Sequence, residues 1–327
     1  MPEQVKHIIA IPVPTQSLLG PANAYVLPGE PLTLIDPGPA TPEALSALVE
    51  GLAELGLAAG DVRQIVVTHS HVDHCGIAGQ ICAGSTGRLT VFAHPSGHAP
   101  LTRPADTTRD RLDLLNRAGV AAHVPRELLD AGLAHVAARQ AGQTAVPAHL
   151  VQPLGHGQQL TAGGNHWTAL HTPGHAADHL NLFQSQAQVL VVGDLLLRHL
   201  STIPSLEAKR PDGRRPGTLA DLVASWRRVG RLDVAVAWPG HGSPIRAHRL
   251  LVARRLAGVR QRLRATRAAV LGGATTIWEV ATALGHPATP EAVPQALGET
   301  VALVDWLSER GRLRRATSDG VVVLAGD

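Results

Sequence analysis

The sequence predicts an α/β fold with a helical insertion at about residues 98–150 and a separate C-terminal part over residues 247–327. The first observation is the apolar run Ile65, Val66 and Val67, which is typical of a buried strand. The second is that segments with a helical spacing of apolar residues follow such strands along the chain. The third is the length of 327 residues, which exceeds the usual size of one hydrophobic core.

The amino-terminal elements can be assigned from turn and capping residues. Short strands separated by proline and glycine turns are predicted over residues 5–36, and the last of them ends at Asp36. The next helix has Thr41 as its N-cap, Pro42 at its first position and Gly56 as its stop signal. Leucines recur along one of its faces, so we expect this helix to cover a sheet.

The later elements alternate between strand and helix periodicity. Strands are predicted at residues 166–171, 179–183, 188–193 and 234–237, with a helix at 218–229 before the last of them. The tail is predicted to contain helices at about 247–271, 276–284 and 294–310, and then short strands around Leu313 and at 321–324. This order of three helices and two strands is typical of a winged-helix domain.

Composition and charge narrow the function classes. The apolar fraction of 44% can fill a core, and charged residues make up 17%, so the chain is expected to be globular. A net charge of +3 is too small to require a nucleic-acid partner. No charged segment followed by a continuous apolar stretch stands at the start, and no apolar run approaches a membrane span. We therefore expect a cytoplasmic protein with no membrane partner.

The two cysteines are expected to be free. Cys75 and Cys82 are seven positions apart on what the sequence predicts to be one helix, a separation that does not suit a disulfide. We therefore expect buried thiols at both positions.

Histidine and aspartate residues cluster at loops that follow predicted strands. The set consists of His69, His71, Asp73, His74, His175, Asp194 and His241. Imidazole nitrogen and carboxylate oxygen are ligands of zinc-like and iron-like ions. His69 and His71 are alternate residues of an extended stretch and can point the same way, while Asp73 and His74 follow after a turn and can face a second ion. The sequence therefore predicts a two-metal site.

Other histidines lack such a context and are interpreted as solvated or hydrogen-bonded side chains. These residues are His7, His123, His135, His149 and His286.

The pattern His-x-His-x-Asp-His, followed by separate His, Asp and His residues, resembles that of metallo-β-lactamase-fold hydrolases. Segments 172–179, 193–194 and 239–242 resemble the subgroup that contains glyoxalase II-like enzymes and β-lactamase-like proteins with winged-helix tails. The resemblance implies an αββα four-layer sandwich over residues 1–246, with a winged-helix-like domain after it.

The resemblance also implies roles for individual residues. The first metal would be bound by His69, His71 and His175, the second by Asp73, His74 and His241, and Asp194 would bridge both. Asp36 matches the family's strand-end aspartate, which supports the ligands through hydrogen bonds. Asp178 and His179 would either support the ligands through hydrogen bonds in the same way or have only a structural role at the start of a strand.

A two-metal site predicts a particular chemistry. Two divalent ions about 3.5–4 Å apart can hold a bridging hydroxide next to a polarised carbonyl or phosphoryl group. Asp73 is the candidate catalytic residue, which would orient the hydroxide and pass its proton to the leaving group. Zn²⁺ is the expected ion, and Fe and Mn are alternatives that the same ligands suit.

Several features narrow the substrate. β-Lactamases of this fold commonly have cysteine where this chain has Asp194, and its lactonases use a mid-chain tyrosine, whereas the one tyrosine here is Tyr25. The insertion is expected to form a lid and an apolar wall over the metals, which favours a thioester or ester as the small-molecule substrate. Two alternatives stay open: a phosphodiesterase or endoribonuclease, and a mononuclear iron persulfide dioxygenase that would use His69, His175 and Asp194.

Nucleic acid is the less favoured partner. The predicted helix 294–310 carries Glu299, Asp305 and Glu309, whereas winged helices that bind nucleic acid display basic residues there. We therefore expect the tail to serve packing or the formation of a homodimer.

Overall fold

The computed structural model describes residues 8–15, 19–85, 88–209 and 215–326, so that His7 lies outside the described residues. Two sheets form its centre. The first has six strands in spatial order: β1 (Ile9–Val13), β2 (Ala22–Leu27), β3 (Thr33–Ile35), β4 (Gln64–Val66), β5 (Thr90–Ala93) and β6 (Val151–Pro153). The second contains β7 (Gln159–Ala162), β8 (Asn165–His171), β9 (Leu180–Gln184), β10 (Val189–Gly193) and β11 (Val236–Pro239), in the order β11-β10-β9-β8-β7.

Helices occupy the outer faces of the sheets and the two added regions. They are α1 (Pro42–Glu54), α2 (Val72–Cys75), α3 (Ala78–Gly84), α4 (His98–Thr102), α5 (Pro104–Ala121), α6 (Arg126–Gln140), α7 (Leu219–Val229), α8 (His248–Leu271), α9 (Ile277–Ala283) and α10 (Val293–Ser308). A hairpin of β12 (Leu313–Ser318) and β13 (Val321–Gly326) follows them. No helix within the described ranges is both long enough and apolar enough to cross a membrane.

Alternation of side chains along the strands produces the predicted four layers. In β10, Val189 and Val191 lie in the core between the two sheets, whereas Leu190 and Val192 pack towards α7. On the other side, Leu34 of β3 packs with Leu48 of α1. The order helix, sheet, sheet, helix is the αββα sandwich, so this prediction is confirmed.

Helix α1 forms as its capping residues predict. The Thr41 side chain accepts a hydrogen bond from the Ala44 amide at 3.2 Å, and Pro42 occupies the first turn. Gly56 has a φ of +71°, a left-handed conformation that glycine adopts without strain and that ends the helix.

Three local predictions are wrong in detail. Asp73 and His74 lie on the one-turn helix α2 and not in a loop, because the amides of His74 and Cys75 both bond to the carbonyl of His71. Cys75 and Cys82 lie on two helices, although both thiols are free and buried as expected. Strand β11 continues to Pro239, beyond the predicted end at residue 237, because it stays paired with β10 up to Gly193.

The insertion and the tail share one hydrophobic core. Leu115 of α5 and Leu129 of α6 are buried in the same cluster as Leu297 of α10 and Leu313 of β12. The three helices and the hairpin of the tail occur in the predicted order. The assignment of this part as a winged-helix domain, and the boundary between residues 246 and 247, stay predictions.

Candidate metal centre

All seven predicted ligands lie together beyond strand ends at one edge of the sandwich. His69 and His71 follow β4, and Asp73 and His74 lie on α2. The other three follow their strands within a few residues: His175 after β8, Asp194 after β10 and His241 after β11.

Three imidazole nitrogens form the first donor set. Nδ1 of His71 lies 3.0 Å from Nε2 of His69 and 3.0 Å from Nε2 of His175. Ligand nitrogens around a tetrahedral zinc ion at about 2.0–2.1 Å are about 3.3 Å apart. The spacing of this set therefore suits one such ion.

Asp73, His74 and His241 form the second donor set. Nε2 of His241 lies 3.7 Å from Oδ2 of Asp73, and all three residues are buried. A carboxylate with two imidazoles is again a donor set that suits zinc or iron.

Asp194 lies between the two sets. Its Oδ2 is 3.7 Å from Nε2 of His175, which belongs to the first set. The same oxygen is 3.5 Å from Nε2 of His74 and 3.7 Å from Nε2 of His241, which belong to the second. One carboxylate oxygen can therefore reach ions held by either set.

Several of these polar atoms lack a hydrogen bond within the described part of the chain. Nε2 of His74, Nε2 of His241 and Oδ1 of Asp194 are buried and make no hydrogen bond to any described residue. Buried polar atoms are nearly always paired, and a bound cation explains three unpaired ones at a single point. The residues present fit a metal centre.

Hydrogen bonds on the outer nitrogens fix which ring nitrogen faces the centre. Nδ1 of His175 donates to the carbonyl of Ile203 at 3.1 Å, and Nδ1 of His241 donates to the carbonyl of Pro21 at 2.9 Å. A carbonyl can only accept, so Nε2 of both rings carries the free lone pair. His71 has the opposite arrangement, because its Nε2 bonds to Oγ of Ser205 at 3.1 Å and leaves Nδ1 for a metal.

Asp36 forms hydrogen bonds that reach two of the predicted ligands. Its Oδ1 accepts from the Thr68 amide at 2.7 Å, and its Oδ2 accepts from the Thr68 hydroxyl at 2.6 Å and from Nδ1 of His74 at 3.2 Å. The Thr68 hydroxyl in turn lies 3.0 Å from Nδ1 of His69. Asp36 thereby orients one histidine of each donor set.

Asp178 and His179 contact the ligand loops and not only the start of a strand. Oδ2 of Asp178 accepts from the amide of Ser70 at 2.9 Å. Nε2 of His179 accepts from the amide of Asp194 at 3.1 Å. Both residues therefore hold the backbone next to a ligand.

The charges of the centre are strongly coupled. Burial lowers the pKa of His69 well below its ordinary value, and the neighbouring His74 and His71 lower it further. Burial alone would raise the pKa of Asp194, but His74 and His241 outweigh it and hold that pKa well below its usual range. The carboxylate of Asp194 is therefore ionised, which is the state in which it can bind a metal.

Gly240 permits the close approach of two ligands. A Cβ atom at this position would overlap Oδ1 of Asp194 and would lie 2.7 Å from Cε1 of His74. The glycine beside His241 is therefore a steric requirement of the centre.

The sequence did not identify three polar residues at the centre. Nη2 of Arg139 lies 3.2 Å from Oδ2 of Asp73, Ser205 contacts His71, and Arg111 lines the adjoining cavity. They come from the insertion and from the segment after β10, where no local motif marks them. His135 and His286 also line this cavity, while His123 and His149 do not.

Comparison with known proteins identifies the family. The model of the metallo-beta-lactamase superfamily matches residues 18–241. The probable metallo-hydrolase YqjP of Bacillus subtilis is 32% identical over 257 residues, which cover 79% of this chain and 78% of that protein. The chain therefore belongs to the metallo-beta-lactamase superfamily, and it is a metal-dependent hydrolase of that superfamily.

Two further proteins are similar to this chain. The metallo-beta-lactamase family protein TTHA1429 from Thermus thermophilus has a TM-score of 0.78 and 28% identity, covering 98% of this chain and 99% of its own. An atrochrysone carboxyl ACP thioesterase from Aspergillus fumigatus is 30% identical over 95 residues, which are 29% of this chain and 20% of that protein.

Proposed function

We propose that the protein is a binuclear hydrolase of thioesters or related carboxylic esters. The observation that carries the binuclear part is the position of Asp194, whose Oδ2 is within 3.7 Å of imidazole nitrogens from both donor sets. A mononuclear iron dioxygenase would not use Asp73, His74 and His241 as metal ligands. These three residues nevertheless form a donor set of their own.

The adjoining cavity supports an organic acyl substrate. It has a volume of about 290 Å³ and includes His71, Asp73, His175 and Asp194 in its wall. This volume is just below the range of about 300–1,000 Å³ for small-molecule sites, which suits a small substrate. Apolar side chains line other parts of the cavity, among them Leu115, Val136, Leu200 and Leu206. The thioesterase among the relatives supports the same class.

We assign separate roles in hydrolysis to the metal donors, Asp73 and Arg139. Two divalent ions held by these donors would polarise the substrate carbonyl and lower the pKa of a water molecule beside it. We assign to Asp73 the acceptance of a proton from this water at Oδ2 and its return to the leaving thiolate. Arg139, at 3.2 Å from the same oxygen, holds the carboxylate in one orientation.

Hydrolysis of S-butanoyl-N-acetylcysteamine tests the proposal. Release of the thiol, followed with a thiol-reactive dye, is expected for the purified protein with its metals. Asp73→Asn is expected to lower kcat by about 10²- to 10⁴-fold, the usual contribution of general acid–base catalysis. His149→Ala, which changes an exposed histidine outside the centre, is the control and should match the wild type. A wild-type protein that releases no thiol would refute the thioester proposal.

A second candidate is an RNA phosphodiesterase, and the charge of α8 favours it. This 24-residue helix contains seven arginines and no acidic residue, and Arg254, Arg260 and Arg264 are exposed. Such a surface attracts phosphate groups. Cleavage of a labelled single-stranded RNA that is lost in His74→Ala would support this candidate, whereas an intact RNA would count against it.

A further inference from the structure

A second feature of the cavity beside the metal centre is a pair of arginines from the insertion. Arg111 of α5 and Arg139 of α6 line the same cavity as His71, Asp73 and Asp194. The two side chains differ in whether a carboxylate pairs with them. Arg139 has a carboxylate partner, since its Nη2 lies 3.2 Å from Oδ2 of Asp73.

Arg111 has no such partner. Its Nε atom is buried and has no hydrogen-bond acceptor among the described residues. No carboxylate oxygen of those residues forms an ion pair with its guanidinium either, although Glu207 is close enough to act on it electrostatically. A buried N–H donor without an acceptor is costly unless an anion or another acceptor completes its hydrogen bond.

The charges around Arg111 favour the binding of an anion beside it. Burial lowers the pKa of Arg111, and Glu207 opposes this effect; the positive charge of Arg139 lowers the pKa further, while Asp73 raises it. Asp73 already belongs to a donor set for metal, so its charge is not free for Arg111. Metal ions at the centre would add further positive charge to the same cavity. A negative charge is therefore favoured here.

Arg111 lies in the wall of the cavity that a substrate would occupy. It lines two neighbouring cavities, and His71 belongs to the wall of both. The guanidinium of arginine has a planar fork of donors that matches a carboxylate or phosphate in two parallel hydrogen bonds.

We propose that Arg111 forms an anion-binding subsite that holds a carboxylate or phosphate group of the substrate beside the metal centre. Resting on the proposed function, the subsite narrows the substrates to acyl thioesters or esters with a second, negatively charged end. The apolar side chains of the cavity contact the chain between the two ends, and the cavity volume of about 290 Å³ favours a small acyl group.

A pair of thioesters with the same four-carbon acyl chain tests the subsite. S-succinyl-N-acetylcysteamine carries a terminal carboxylate that S-butanoyl-N-acetylcysteamine lacks. The wild type is expected to prefer the succinyl compound at least tenfold in kcat/KM. Arg111→Gln should bring this ratio close to one, and Arg111→Lys should leave an intermediate ratio because lysine keeps the charge but not the fork. A wild-type ratio near one, or an unchanged ratio in Arg111→Gln, would overturn the proposal.

A matched control lies on the same helix. Arg117 is exposed on α5 and lines neither cavity, so Arg117→Gln removes the same charge without touching the subsite. This variant should keep the wild-type preference. The metal content of Arg111→Gln is measured alongside and should equal that of the wild type, because Arg111 is a member of neither donor set. Loss of metal would show that Arg111 acts through the centre and would also overturn the proposal.

Binding measurements separate this inference from the proposed function, because they need no turnover. Calorimetric titration of the metal-containing protein compares butanoate, succinate and 3-phosphonopropanoate. One carboxylate of each can bind a metal, and only the last two have a second anionic group. At least tenfold tighter binding of succinate or of 3-phosphonopropanoate, lost in Arg111→Gln, supports the subsite even if no thioester is hydrolysed. The tighter of the two identifies carboxylate or phosphate, and equal binding of all three overturns the proposal.

Discussion

At the scale of single residues, the metal centre depends on acceptors that lie behind its ligands. Each of the five histidines uses one ring nitrogen for a hydrogen bond outside the centre and turns the other inward. Asp36 is the residue with the widest effect, because it bonds to His74 directly and to His69 through the hydroxyl of Thr68. Loss of a group that orients a ligand in this way typically lowers metal affinity or activity by about 10- to 100-fold.

Asp36→Asn should weaken metal binding without removing a ligand. The amide oxygen can still accept from the Thr68 amide, but the amide nitrogen cannot accept from His74 or from the Thr68 hydroxyl. We expect affinity for the ion bound by His74 to fall by about 10- to 100-fold. Competition with a chelating dye measures it, and Asp106→Asn, an exposed change on α5, is the control. Equal affinity in wild type and Asp36→Asn would refute this role.

At the scale of elements, one carboxylate joins the helices of the tail. Glu299 of α10 accepts from Nε of Arg262 at 2.8 Å and from Nη2 of the same arginine at 2.6 Å, and Arg262 lies on α8. His286, which follows α9, lies 2.8 Å from the same carboxylate. A two-pronged pairing of arginine with carboxylate fixes the angle between the elements that carry it.

Glu299→Gln should destabilise the fold in a manner that depends on pH. Burial raises the pKa of Glu299, but hydrogen bonds from His286 and Arg262 outweigh it and leave the pKa below its ordinary value of 4.5. A carboxyl whose pKa is lowered by folding stabilises the fold above that ordinary value, and the contribution is lost as the pH falls through the folded pKa. We expect the variant to unfold about 1–3 kcal/mol more easily at pH 7.

Urea unfolding at pH 7 and at pH 3.5 measures this difference. The gap between wild type and Glu299→Gln should shrink at the lower pH. Glu309→Gln, which removes an exposed ion pair with Arg310, should have little effect at either pH. A gap that stays constant between the two pH values would show that the charge of Glu299 does not contribute.

The elements also show which parts of the protein a sequence can predict. The seven predicted ligands and Asp36 stand in short segments next to strong strand signals, so local patterns indicated residues that the structure brings together. Helix capping at Thr41 was predicted for the same reason. The end of β11 was not, because pairing of Pro239 with Gly193 of β10 sets it. Arg111 and Arg139 reach the cavity only through the packing of α5 and α6 on the tail, which no local pattern encodes.

At the scale of the whole molecule, the C-terminal tail forms part of the wall of the cavity beside the metal centre. Gln295 and Glu299 of α10 line the cavity over the metal centre together with residues of the insertion. The shared core of α5, α6 and α10 means that the insertion would expose apolar side chains if the tail were removed. The expected role of the tail in packing agrees with this contact, while a homodimer stays a prediction.

A chain that ends at residue 246 should therefore lose cooperative unfolding and aggregate. Because such a chain can fail to fold, Leu297→Ala is the second variant: Leu297 is fully buried in the shared core, and its truncation should cost about 2–5 kcal/mol. Leu250→Ala on α8, where the leucine is 54% exposed, should change stability by about 0.5 kcal/mol or less. Thermal and urea unfolding compare the variants. A soluble, active chain ending at residue 246 would contradict the shared core.

The metal content of the protein tests the binuclear centre most directly. Plasma emission spectrometry is applied to protein purified without added metal, for the wild type and for His74→Ala. His74 is a member of the second donor set and not of the first, so we expect two divalent ions per chain in the wild type and a value close to one in the variant. His149→Ala controls for the loss of a histidine, since His149 is exposed and lies outside both donor sets. One iron per chain that is unaffected by His74→Ala would contradict the account and favour a mononuclear centre.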